Sequence, residues 1–113
     1  MFRVAFYKTA DGRKPAGEFV NSLDETAKAQ VVHELKNLAL LGNALNEDKS
    51  KPIGDGLFEL RIVDRSNAYR MIYFFVIDAT IIVTNGFAKK TQKTPKQEIE
   101  LAKKYRADYL ARR

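Results

Sequence analysis

Apolar residues recur at two different periods along this chain, and each change of period marks an element boundary. Residues 2–7 are short, aromatic and β-branched and are closed by Asp11-Gly12, the pattern of a first strand. Pro15 then opens a short helix with Phe19 and Leu23 on one side. Asp24 is placed as the N-cap of a longer helix, with Glu25 in the first turn where the helix dipole favours an acid. Along that helix Ala27, Val31, Leu35 and Leu38 recur at helical spacing, with Lys28, Glu34 and Lys36 outside, and Gly42 ends it. Residues 43–56 are polar and rich in turn formers, which predicts a loop.

The period then drops. Three apolar runs, 57–63, 68–77 and 80–87, are separated only by Asp64-Arg65-Ser66-Asn67 and Asp78-Ala79, gaps short enough for two successive hairpins. In the first run Phe58, Leu60 and Ile62 share one face while Glu59 and Arg61 share the other. Pro95 marks a last helix with Ile99, Ala102, Tyr105 and Tyr109 or Leu110 on its apolar side. The order predicts an α+β fold of one domain, residues 1–113. An antiparallel sheet forms from the N-terminal strand plus a three-stranded meander, with two helices packed on one face and a C-terminal helix. That layout leaves the other sheet face, or its edge with the C-terminal helix, open to a ligand. No internal repeat, low-complexity segment or linker interrupts it.

Composition narrows the chemistry. The 113 residues are 45% hydrophobic and 30% charged, the balance of a folded soluble chain with a single core. There is no cysteine, which removes disulfides, thiolate catalysis and thiolate-bound zinc. No apolar run is long enough to span a bilayer, and the N-terminus reads as a strand rather than a signal peptide, so a cytoplasmic location is expected. Charge is unevenly spread. Residues 87–113 hold nine Lys/Arg and three Asp/Glu, or +6, equal to the formal net charge of the whole chain; residues 1–86 balance eleven against eleven. Excess charge gathered at one end suits an anionic partner, with the phosphodiester backbone as first candidate.

Four cations stand out: Arg61, Arg70, Lys89 and Lys90. The arginines fall on adjacent hairpin strands and the lysines just past the next strand, so three neighbouring segments could ring one concavity. Arginine forks bidentately onto phosphate oxygens and lysine adds a compact charge. The plainer reading is ion pairing of Arg61 or Arg70 with Glu59, and a solvated turn at Lys89-Lys90. Against it, the same loop carries Thr91, Lys93, Thr94 and Lys96, a hydroxyl-bearing basic surface suited to gripping a backbone. The single histidine, His33, lies on the long helix away from this cluster, and the scattered carboxylates lack a metal-binding pattern. Tyr69, Tyr73, Phe74 and Phe75 read as core, with base stacking by Tyr69 as the alternative.

Three segments, Leu57-Phe58-Glu59-Leu60-Arg61, Tyr69-Arg70-Met71-Ile72-Tyr73 and Gly86-Phe87-Ala88-Lys89-Lys90-Thr91-Gln92-Lys93-Thr94-Pro95, resemble in order and spacing the RelE/ParE toxin superfamily, in particular its HigB-like, phage-related branch. The resemblance covers the whole chain. It implies the toxin of a type II toxin–antitoxin pair, a ribosome-dependent endoribonuclease that cuts mRNA by 2′-hydroxyl transesterification without metal or other cofactor. It also implies a cognate antitoxin, in this branch a helix-turn-helix DNA-binding protein. Carried over by position, Arg70 would grip the scissile phosphate, Arg61 would stabilise the phosphorane, and Lys89 or Lys90 would move protons. Thr91, Lys93, Thr94 and Lys96 would hold RNA. The alternatives are a ParE-like inhibitor that binds DNA gyrase and a non-catalytic RNA-binding module. Glu59 stands where relatives often carry a polar or basic residue, and no histidine follows Phe87.

Overall fold

A computed structural model describes all residues, Met1–Arg113. The elements run β1 (Arg3–Phe6), α1 (Pro15–Asn21), α2 (Glu25–Leu41), a 3-10 turn (Gly42–Ala44), β2 (Ser50–Gly54), β3 (Leu57–Asp64), β4 (Asn67–Val76), β5 (Thr80–Ala88) and α3 (Lys96–Arg112). The expected α+β plan holds, with Pro15 in the first turn of α1 and the Asp24 side chain accepting the Ala27 N–H at 2.9 Å. Gly42 closes α2 at φ 52°, a conformation that favours glycine.

Two expectations about the sheet are corrected. Residues 43–56 are not all loop, because Ser50–Gly54 forms a fifth strand on the edge of β3. Its Pro52 and Gly54 disguise it in the sequence; an edge strand tolerates both, since one side of its backbone needs no partner. Nor is the sheet wholly antiparallel. Its order is β1-β5-β4-β3-β2, and β1 lies parallel to β5 in the register Arg3↔Thr80 to Phe6↔Val83.

The helices also divide between the two faces. One core cluster joins Ala16, Val20, Ala27, Val31 and Leu38 of α1 and α2 to Leu60, Ile62, Met71, Tyr73, Ile81 and Val83. The other joins Ala102 of α3 to Tyr7, Leu57, Ile72, Phe74, Ile82 and Phe87, with Ile99, Tyr105 and Tyr109 packed around it. The second face is therefore covered by α3 rather than left open, and only the edge beside that helix remains for a ligand.

A register shift in β5 has a functional consequence. Ile72 pairs with Asn85 but Tyr73 pairs with Val83, so Thr84 is an extra residue. Its buried hydroxyl lies 3.1 Å from the Ile72 carbonyl and 2.6 Å from Asn85 Oδ1. Such a bulge reverses the alternation of everything beyond it. Ile82 before it and Phe87 after it accordingly both face α3. Gly86 now turns toward the other face, where an added Cβ would come within 2.5 Å of Met71 Sδ and the Phe19 ring; only glycine fits.

Candidate phosphate-binding site

Arg61 on β3 and Arg70 on β4 are directly opposite in the strand register. Both side chains stand on the α3 face, as their alternation with Ile62 and Met71 in the opposite core requires. Between and beneath them lies Glu59, whose side chain is only 2% exposed; its Oε1 is 3.6 Å from Arg61 Nε and 3.7 Å from Arg70 Nε. The ion pairing anticipated for Glu59 is thus present with both arginines. The separations exceed hydrogen-bond reach, however, and both buried Nε atoms lack a hydrogen-bond partner. Arg70 is further fixed by donating from Nη1 to the Tyr69 carbonyl at 3.1 Å. Burial lowers the Arg70 pKa and nearby Arg61 lowers it further, against an opposing pull from Glu59.

Lys89 completes the group. Its backbone N–H donates to the Ala68 carbonyl at 2.8 Å and extends the ladder one residue past β5. The Thr84 bulge puts this lysine, an odd-numbered residue like Phe87, on the α3 face with the arginines. Burial, with Arg70, Arg61 and Lys51 nearby, holds the Lys89 amine below the usual lysine range, while Glu59 pulls the other way. Lys90 is exposed on the turn.

Two concavities flank the turn and share Lys89 and Gln92. One, of about 460 Å³, is lined by Ala68, Arg70, Lys90 and Thr91 as well. The other, of about 280 Å³, includes Lys51, Glu59, Arg61, Lys93 and Thr94. Lys51 escaped the sequence reading because its strand did: it sits opposite Glu59 in the β2–β3 register. The site therefore holds four cations, Lys51, Arg61, Arg70 and Lys89, around one buried carboxylate.

The other expected residues separate by role. Thr94 donates its hydroxyl to Glu59 Oε2, anchoring the loop to the floor of the site. Thr91 closes its own turn onto the Lys93 carbonyl at 2.9 Å. Lys93 lines the smaller concavity, and Lys96 is exposed at the start of α3 outside both. Tyr69 is 9% exposed and packs edge-on to Phe19 on the opposite face, which removes it as a base-stacking platform. Tyr105 stacks on Tyr7 and Tyr109 meets Phe74, so both are packing residues. His33 is exposed on α2, and nowhere do three or more His, Asp or Glu side chains gather to hold a metal ion. Chemically, the notch can accept a tetrahedral dianion or phosphodiester on two forked cations with an amine of lowered pKa beside it.

The family described as Phage derived protein Gp49-like (DUF891) matches residues 18–107, which include every cation of the site. Two curated relatives, each described as a probable endoribonuclease HigB1 and coming from Mycobacterium tuberculosis strains CDC 1551 / Oshkosh and ATCC 25618 / H37Rv, are similar to the chain. Each is 32% identical over 97 residues, covering 86% of this chain and 75% of the relative.

Proposed function

Because the chain belongs to the Gp49-like family, within the HigB-like branch of the RelE/ParE toxins, we propose that it is the toxin of a type II toxin–antitoxin pair and an endoribonuclease acting on mRNA. The observation that carries this reading is the pairing of Arg61 with Arg70 over buried Glu59, with Lys89 alongside. A protein that worked only by holding another protein would have no need of such a phosphate-sized notch.

In the proposed reaction the 2′-hydroxyl of the nucleotide before the cut attacks the adjacent phosphorus. The P–O5′ bond breaks, leaving a 2′,3′-cyclic phosphate and a free 5′-hydroxyl. Arg70 holds a non-bridging oxygen of the scissile phosphate, and Arg61 takes up the charge that accumulates in the phosphorane. Lys89, as the neutral amine, removes the 2′-hydroxyl proton; its lowered pKa increases the neutral fraction at physiological pH. The departing 5′-oxygen is protonated by Lys90 or by water. Lys51 and Lys93 hold flanking phosphates. The mRNA is presented by the ribosome, and a helix-turn-helix antitoxin blocks the notch.

Brief induction in growing cells, followed by primer extension on cellular transcripts, tests the reading. Cuts in frame with translation are expected, and the R70A/K89A double variant at equal expression should leave growth and mRNA intact. Intact mRNA accompanied by DNA damage would instead identify a gyrase poison.

A further inference from the structure

A second cationic cleft lies at the far end of α3 and takes no part in the proposed cleavage. It is a concavity of about 280 Å³ whose polar lining is Arg3, Lys8, Thr80, Arg112 and Arg113, with Tyr109 on one wall. Two of its cations are already held in place. Arg3 donates to Thr80 Oγ1 at 3.3 Å. Arg112 donates to Asp108 at 2.7 and 2.9 Å and to the Lys8 carbonyl at 2.6 Å, over the ring of Tyr7. Asp108, beside the cleft, is occupied by Arg112 and by the Tyr7 hydroxyl at 2.5 Å. Guanidiniums fixed in advance lose little side-chain entropy when an anion arrives, which is what distinguishes a binding cleft from a solvated charged surface.

The cleft and the phosphate notch open on the same side of the sheet, separated by the length of α3, roughly 25 Å for 17 residues. Charge follows that geometry. Residues 87–113 carry +6 and residues 1–8 carry +2, whereas residues 9–49, the α1–α2 side, hold five Lys/Arg against seven Asp/Glu, or −2. The α3 side is thus net basic and the α1–α2 side net acidic, with the cations concentrated at the two ends of α3, since Lys103 between them pairs with Asp55 and Glu100.

We propose that Arg3, Lys8 and Arg112 form a second phosphodiester-binding cleft, which grips the backbone of folded RNA well outside the strand being cut. This deepens the proposed nuclease function by giving the enzyme a hold on the RNA-rich assembly that presents the substrate. The ligand is RNA backbone rather than an acidic protein segment because cations at both ends of α3 demand regularly charged polymer across the whole face, not one acidic cluster.

The test is equilibrium binding to purified ribosomes and, in parallel, to a short single-stranded RNA that fills only the notch. The R3E/K8E variant is expected to bind ribosomes at least tenfold more weakly. Its log–log salt slope should be shallower by roughly 0.7–0.9 per lost phosphate contact. Affinity for the short strand should change much less. A charge-matched control on the opposite side, K14E/K36E, should bind ribosomes as the unaltered protein does. Equal losses in both double variants would reduce the effect to net charge and overturn the proposal, as would an unchanged salt slope in R3E/K8E. Weakened binding of the purified antitoxin by R3E/K8E, with ribosome binding intact, would assign the cleft to that protein and also overturn it. These readouts need no cleavage, so failure of the nuclease reading would be seen separately, in the transcripts.

Discussion

At the scale of single residues, Glu59 explains more of the site than any cation does. Its carboxylate faces Arg61 and Arg70 and accepts from Thr94, so one buried group orients both guanidiniums and ties down the loop that carries Lys89. A buried ion pair is costly to half-remove, because the remaining charge loses its partner. Glu59→Gln keeps the shape and deletes the charge; we expect a loss of about 2 kcal/mol, below the full buried-pair value because Arg61 keeps 28% of its side-chain surface in solvent. Inorganic phosphate should restore part of it, raising the melting temperature of the variant more than that of the parent protein, since the freed notch gains an anion that binds only the folded state. The kinetic sign follows from Lys89. Glu59 opposes the lowering of that amine's pKa, so its removal lowers it further, and the acid limb of the cleavage-rate profile should move to lower pH. A limb that stays in place or moves toward alkaline pH would exclude Lys89 as the base.

At the scale of elements, the link between α2 and the β2 edge depends on a buried acid. Glu34 is 1% exposed on α2 and accepts from Lys49 Nζ at 2.8 Å and from Asn37 at 3.3 Å. Burial raises its pKa, but Lys49 and Asn37 outweigh that and leave it below the ordinary carboxylate range. A folded-state pKa below the unfolded value, about 4.3, contributes stability that is present above that pH and lost as pH falls through the folded pKa. Lys49→Ala removes the largest lowering partner and leaves burial dominant. The variant should lose about 1–3 kcal/mol at pH 7 by chemical denaturation, with the deficit narrowing on acidification as Glu34 protonates; a deficit independent of pH would show the pair to be energetically idle. The same region shows where the sequence was opaque. Helices and meander were legible because caps, Pro15 and Gly42 and the hairpin gaps are local signals. The β2 strand and the direction of β1 were not, because an edge strand bearing Pro52 and Gly54 has no local signature and β1 takes its direction from residues 80–83. Of the site, the arginine pair was readable from the hairpin that carries it, Arg61 alternating with Leu60 and Ile62 on one strand and Arg70 falling on the next. The choice between Lys89 and Lys90 was not, since strict alternation from Ile82 would put Lys90 on the α3 face; the Thr84 bulge, invisible in the sequence, puts Lys89 there instead.

At the scale of the whole molecule, segregated charge divides the work between encounter and chemistry. Cations outside the notch act on a substrate before any bond changes, and a field of this kind is screened within about 8–10 Å at physiological salt. Inside the notch the same screening is weak, since Arg70 keeps 11% and Glu59 2% of its side-chain surface in solvent. Salt should therefore raise KM and leave kcat nearly constant. For a single strand making three to four phosphate contacts, a slope of about −0.7 per contact means that fourfold more salt weakens binding roughly 20–50-fold. Steady-state cleavage of mRNA between 50 and 200 mM KCl measures both constants. If kcat instead fell with salt while KM held, the peripheral cations would be acting on the transition state, and the roles of notch and surface would have to be exchanged. If neither moved, the +6 carried by residues 87–113 would have no part in holding RNA.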